Sequence, residues 1–287
     1  MSGESYKKLL AIDTFVTMIS FPQCKINLGL NIHFKRADNY HEVSTVMYPI
    51  PLNDILEIVR NETFQFTQSG MPIPGRFEDN LCVKAYQLLQ REFEISPVHI
   101  HLYKNIPMGG GLGGGSADGT YMLKLLNDEF KLGLSTAELQ DYAAQLGSDC
   151  PFFVREEPQL ATGRGELLEP INVNLKGYYL YLINDGTHVS TQEAYANVSP
   201  RQPSRSLEEV VSLPIDQWKA HLHNQFEESV FPRYPHLERF KEQLYDAGAI
   251  YASMTGSGAT LYGLFESEPS SSLFESENDV SQNIIQL

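Results

Sequence analysis

The 287-residue chain is 42% hydrophobic and carries a formal net charge of −15, a length near the upper limit for one hydrophobic core and compatible with one large domain or two lobes. So acidic a surface repels phosphate backbones, which argues against nucleic acid or an anionic membrane as main partner. No apolar run approaches the ~20 residues that span a bilayer, and Cys24, Cys82 and Cys150 form no Cys-x-x-Cys pair, a pattern of free thiols in a reduced cytoplasm rather than of zinc or disulfides.

At the amino terminus, Asp13 cuts an apolar run after four residues, too short for a signal-peptide core. Residues 1–17 therefore read as an extra segment, with Met18 an alternative start. From 24 to 32 residue types alternate, placing Cys24, Ile26, Leu28, Leu30 and Ile32 on one strand face and Lys25 with Asn27 on the other. A polar turn at 36–39 leads into a second strand through Val46, and 55–59 and 63–67 predict two more. A helix follows, capped by Asp79 or Asn80, then a strand over 98–102. A helix runs from Ser116 to about Phe130, and Ser135 with Glu138 forms a capping box for another that Gly147 closes. The second half has a strand at 178–183, helices at 207–211 and 216–231, and a helix after Pro235 that stops at Gly248. Strands at 250–253 and 260–266 flank a second glycine turn. The serine- and acid-rich stretch 268–279 is expected to be loosely held. With no internal repeat, this order is α+β in two lobes, 18–160 and 161–287.

Between strand and helix lies Lys104-Asn105-Ile106-Pro107-Met108-Gly109-Gly110-Gly111-Leu112-Gly113-Gly114-Gly115-Ser116-Ala117. So many glycines cost chain entropy, which is offset if the backbone approaches a ligand and turns several N–H groups toward it. The free N–H groups and positive dipole end of the next helix complete a phosphate site, where Ser116 could cap the helix or meet phosphate or Mg²⁺. A Walker A loop would need a Lys before that Ser, and none is present. A dinucleotide fingerprint, Gly109-x-Gly111-x-x-Gly114, lacks its acid ~20 residues on at the end of a second parallel strand. A loop wrapped around ATP is the third reading.

The order of motifs narrows the choice. Lys25-Ile26-Asn27, Asp38-Asn39-Tyr40-His41, the glycine loop, Gly147-Ser148-Asp149-Cys150-Pro151-Phe152-Phe153 and Thr255-Gly256-Ser257-Gly258-Ala259 succeed one another along the chain. Over about 19–265 this resembles the GHMP kinase superfamily, and within it the branch acting on 4-diphosphocytidyl-2-C-methyl-D-erythritol; Asn224-Gln225-Phe226-Glu227 and Ala161-Thr162-Gly163-Arg164-Gly165-Glu166 also fit. Cys24 stands where that family usually has Ala.

The resemblance implies a two-lobed GHMP kinase fold, ribosomal protein S5 domain 2-like at the amino end and ferredoxin-like at the carboxyl end. It implies ATP and Mg²⁺ as cofactors and phosphorylation of the tertiary 2-hydroxyl of the methylerythritol in the cytoplasmic non-mevalonate route to isoprenoid precursors. Mevalonate, homoserine or a sugar is the alternative acceptor. Asp149 matches the position that accepts the hydroxyl proton, and Lys25 the cation that keeps it ionised and stabilises transferring charge. Lys104 and Pro107 through Ala117 match the ATP site. Asn27, Tyr40, His41 and Tyr195 match the substrate site, with imidazole reading the cytosine edge and Tyr195 stacking on the base; a core tyrosine is the alternative for Tyr195. His99-x-His101 shares a strand face but lacks a third metal ligand nearby. His221-x-His223 lies in a helical pattern, where such spacing separates the rings. No metal ligand beyond Ser116 is suggested; Mg²⁺ would arrive with ATP.

Overall fold

The computed structural model describes residues 17–274, 277 and 280–287. Twelve strands form three four-stranded sheets among the described residues. The first takes β1 (Thr17–Ser20), β4 (Ile55–Arg60), β6 (Val98–Lys104) and β5 (Gln65–Gly70) in that order. The second runs β2 (Gln23–Lys35), β3 (His41–Asn53), β7 (Gln159–Thr162), β8 (Leu167–Pro170). The third runs β10 (Tyr251–Met254), β11 (Leu261–Phe265), β9 (Tyr179–Asn184), β12 (Ser281–Gln286). The expectation of α+β holds. No described helix is long and apolar enough to cross a membrane.

Helices α1 (Leu81–Phe93), α2 (Gly114–Glu129) and α3 (Thr136–Leu146) bury their apolar stripes with the first sheet. Asn80 caps α1 by accepting from the Cys82 N–H at 2.8 Å, and Ser135 with Glu138 makes the predicted capping box on α3. The inward side of β2, Cys24, Ile26 and Leu28, packs with Leu180, Leu182 and Tyr262 of the third sheet. This shared core fixes the second sheet against the third, and so brings residues more than two hundred positions apart to the strand that carries Lys25. On the far side of the third sheet, Leu237, Phe240 and Leu244 of α8 (Pro235–Asp246) close the core.

Two expectations are corrected. The helix over 216–231 is broken into α6 (Trp218–His221) and α7 (Glu227–Val230). Between them the backbone bridges Leu30, whose N–H donates to the His223 carbonyl at 2.9 Å while the Gln225 N–H returns to the Leu30 carbonyl at 2.9 Å. Satisfying the edge of β2 outweighs continuing the helix there. The terminal stretch contains Phe274, fully buried against Tyr181 and Phe240, and precedes β12, an edge strand on β9. Residues 275, 276, 278 and 279 of that stretch lie outside the described residues, as does the segment 1–16. Met18 itself belongs to β1, opposite Ile58. The expected division between 160 and 161 lies within β7, which pairs with both β3 and β8.

Candidate active site

Lys25 and Asn27 share a face of β2, as alternation predicts, and that face is also buried: both residues are 2% exposed. A buried ammonium needs acceptors. Lys25 Nζ donates to Asn27 Oδ1 at 2.7 Å and to the Gly111 carbonyl at 2.6 Å, and stands 3.8 Å from Asp149 Oδ2. Burial lowers the Lys25 pKa and the Asp149 carboxylate opposes that shift. Asn27 Oδ1 also accepts from the Thr255 hydroxyl at 3.1 Å, and its Nδ2 donates to Thr45 Oγ1 at 2.9 Å. The Asn27 side chain is thus committed to holding Lys25 in place.

The glycine loop curls over this pair. Gly109, Gly111 and Gly113 have φ of 71°, 77° and 72°, left-handed backbone that favours glycine. A Cβ on Gly111 would overlap the Thr255 carbonyl, and one on Gly110 the Thr260 hydroxyl. The second glycine turn therefore acts as a backstop for the first, joined by the Thr260 N–H donating to the Gly110 carbonyl at 3.2 Å. Asn224 pins the backstop, its Nδ2 donating to the carbonyls of Met254 at 2.7 Å and Gly256 at 2.8 Å. Beyond the loop, α2 begins at Gly114, and the first-turn N–H groups of Gly114, Gly115 and Ser116 precede any helical acceptor. Ala117 is buried, with its N–H on the Gly113 carbonyl at 2.9 Å. Pro107 through Ser116 line a cavity of about 580 Å³, walled by Phe66, Phe77, Asn80 and Leu81.

Lys104 sits in the wall of the same cavity, but its ammonium is bound between Asp54 and Asp118, the latter at 2.8 Å. Burial alone would lower its pKa; the Asp118 and Asp54 carboxylates outweigh burial and raise it. Asp54 Oδ1 in turn accepts the N–H groups of Asn105 at 2.6 Å and Ile106 at 2.8 Å. The triad fastens strand end, loop and helix start together. Asp118 Oδ1 is buried without a partner among the described residues, and burial pushes this carboxyl up to about 8. Nothing in the local sequence pattern of Asp54 or Asp118 marks a buried charge.

Asp149 lies at the start of the short turn Cys150–Val154, with its side chain 38% exposed. Ser148 and Pro151 beside it line a second cavity, of about 820 Å³, with Tyr40, His41 and Tyr195. Tyr195 ends α4 (Thr191–Tyr195) and stacks on His41 with centroids 4.7 Å apart and planes 12° from parallel. It also packs edge-on against the buried Phe226 at 4.8 Å, so it belongs both to the core and to the cavity. Tyr40 is 57% exposed. Lys25 thus touches the glycine-lined cavity through the Gly111 carbonyl, and Asp149, 3.8 Å from it, follows Ser148 of the aromatic-lined one.

His99 and His101 hydrogen-bond the hydroxyls of Thr67 and Ser69 on β5. No group of three or more His, Cys, Asp or Glu that could hold a metal occurs among the described residues. All three cysteines are buried free thiols. Burial pushes the Cys150 thiol up to about 11 and raises that of Cys24 further, so Cys24 is poorly placed to react beside Lys25.

Residues 80–157 match the GHMP kinases N terminal domain and residues 207–278 the GHMP kinases C terminal domain. A 4-diphosphocytidyl-2-C-methyl-D-erythritol kinase of Bacteroides fragilis is 51% identical over 255 residues, 88% of this chain and 93% of that protein. The enzyme of that name from Cytophaga hutchinsonii is 49% identical over 253 residues, 88% of this chain and 94% of its own. A crystal structure of 4-(cytidine 5'-diphospho)-2C-methyl-D-erythritol kinase superposes with a TM-score of 0.81 at 27% identity, over 94% of this chain and all (100%) of that one. The Methanococcus jannaschii mevalonate kinase shares the fold alone, with a TM-score of 0.69 at 13% identity over 95% of this chain and 99% of its own.

Proposed function

The chain belongs to the GHMP kinase family, and we propose that it transfers the γ-phosphate of ATP to the 2-hydroxyl of 4-diphosphocytidyl-2-C-methyl-D-erythritol. The observation that carries this reading is the Lys25–Asp149 pair, 3.8 Å apart, with Lys25 on the Gly111 carbonyl of a glycine-lined cavity and Asp149 next to Ser148 of an aromatic-lined one. The first suits a triphosphate, through unpaired N–H groups at the start of α2. The second suits a nucleobase, through Tyr40, His41 and Tyr195. The supporting relatives, about half identical along most of the chain, bear this enzyme's name.

In this mechanism Asp149, the exposed member of the pair, accepts the hydroxyl proton as the oxygen attacks the γ-phosphorus. Lys25, held by Asn27 and Gly111, offers a fixed positive charge to the transferring phosphoryl group without reorganising. Mg²⁺ neutralises phosphate charge when it enters with ATP. It would be carried largely by the nucleotide, with the Ser116 hydroxyl as a candidate protein ligand. We place the reaction in the cytoplasm, consistent with three free thiols.

The deciding experiment is an ADP-release assay with Mg-ATP and a panel of acceptors. Release is expected with the cytidine diphosphate-linked methylerythritol and not with mevalonate or homoserine. Turnover of either of those, with none of the cytidine substrate, would overturn the assignment.

A further inference from the structure

The second cavity contains a guanidinium that the mechanism above leaves unused. Arg164 sits in the turn between β7 and β8, flanked by Gly163 at φ 73° and Gly165 at φ 109°. The turn is tied to the start of β3: the Gly163 N–H donates to Glu42 Oε1 at 3.1 Å, and the Val43 N–H to the Gly163 carbonyl at 2.8 Å. Arg164 itself is braced by Glu166, which accepts its backbone N–H at 2.5 Å and its Nε at 3.3 Å. The guanidinium lies over the ring of Tyr40, 4.9 Å from the centroid, a cation–π arrangement that orients its plane.

What remains is one-sided. Both oxygens of Glu166 are engaged by Arg164, whereas Nη1 and Nη2 of Arg164 have no hydrogen-bond partner among the described residues. Arg164 is also the single Lys or Arg among the described lining of this cavity. A chain of net charge −15 repels an anionic ligand over most of its surface, so an anion entering here needs a local cation. A planar fork with free terminal nitrogens, already fixed by stacking and by Nε, is the geometry that takes phosphate oxygens two at a time.

We propose that Arg164 holds the diphosphate of the acceptor, with Nη1 and Nη2 donating to its oxygens while Tyr40 supports the guanidinium from the side. This rests on the reading above that the acceptor is a cytidine diphosphate derivative. It makes Arg164 a specificity residue that distinguishes a nucleoside diphosphate from an uncharged nucleoside.

The test compares the affinities of CDP and cytidine for the wild-type protein and for Arg164→Gln by calorimetry, with the KM for acceptor and for ATP measured alongside. The wild type is expected to bind CDP more tightly than cytidine. Arg164→Gln should weaken CDP by about 10–100-fold, the loss of a charge-assisted hydrogen-bonded pair, and cytidine by less than about 3-fold, one such bond's weight being absent there. The acceptor KM should rise with the CDP constant and the ATP KM stay level. Arg164→Lys, which keeps a point charge, should recover part of the CDP affinity and serves as the reading if the Gln variant misfolds. Equal weakening of CDP and cytidine would reduce Arg164 to a support for Tyr40 and overturn the proposal, as would no change in either. A wild type that binds neither ligand, and turns over no cytidine-bearing acceptor, would overturn the acceptor assignment and this inference with it. Wild-type turnover combined with an unaltered Arg164→Gln sinks the inference alone.

Discussion

Asp149 presents a side chain that is 38% exposed to a Lys25 side chain that is 3% exposed, 3.8 Å away. The asymmetry suits the proposed roles: the reachable group can meet a substrate hydroxyl, and the enclosed one would supply a charge that water does not screen. Replacing Asp149 by Asn keeps the shape and removes the proposed base. Asp149→Asn is expected to bind ATP and acceptor at close to wild-type affinity while kcat falls by about 10²–10⁴-fold. Single-turnover ADP formation with separately measured ligand affinities checks this, and activity within about tenfold of wild type would remove Asp149 from the role of base.

Lys25 predicts a pH dependence. Burial lowers its pKa below the ordinary 10.5, with Asp149 partly countering. If transfer needs the ammonium, activity is present below that depressed pKa and lost as pH rises through it. The alkaline limb of kcat should therefore lie below pH 10.5. Lys25→Ala should cost about 10²–10³-fold in kcat, the weight of one preorganised electrostatic contact, and remove that limb from what activity remains. A pH–rate profile of both proteins decides it.

Two glycines of the loop should separate folding from binding. Gly111 has φ 77° and faces the Thr255 carbonyl where a Cβ would go. Gly111→Ala must move the backstop, so both thermal stability and ATP affinity are expected to fall. Gly115 has no atom within 4 Å of such a Cβ. Gly115→Ala should melt within about 2 °C of wild type, below the effect of 1 kcal/mol in a large domain. Its ATP KM should nonetheless rise if phosphate approaches that backbone. An unchanged ATP KM would place the phosphates elsewhere on the loop.

The buried triad carries two carboxylates for one ammonium. Burial raises the Asp118 pKa from 3.8 to about 8. The folded state then binds more protons than the unfolded chain between those values, so this group's contribution is complete below about 4 and lost as pH rises through about 8. Asp118→Asn mimics the protonated form and leaves Lys104 paired with Asp54. Its melting temperature should match wild type in acid and exceed it above pH 8 by at least about 2 °C, the equivalent of ~1 kcal/mol. Melting curves across that pH range test the sign.

Much of the site could be read from the chain because its parts are local. The alternation at 24–32 marks the strand that carries Lys25 and Asn27, the Ser135–Glu138 box sets the start of α3, and the glycine run borders a helix whose first N–H groups are free by construction. Such signals depend on spacing along the backbone. The tertiary structure alone decided what those parts rest on. Leu30 draws 223–225 out of helix, Asn224 pins the second glycine turn beneath the first, and Lys104 is neutralised by carboxylates 50 and 14 residues away. Arg164 meets Tyr40 only because two turns of one sheet are stitched together. Backbone periodicity records which face of an element is apolar; which distant polar group satisfies a buried donor is settled only when sheets and helices close on one another.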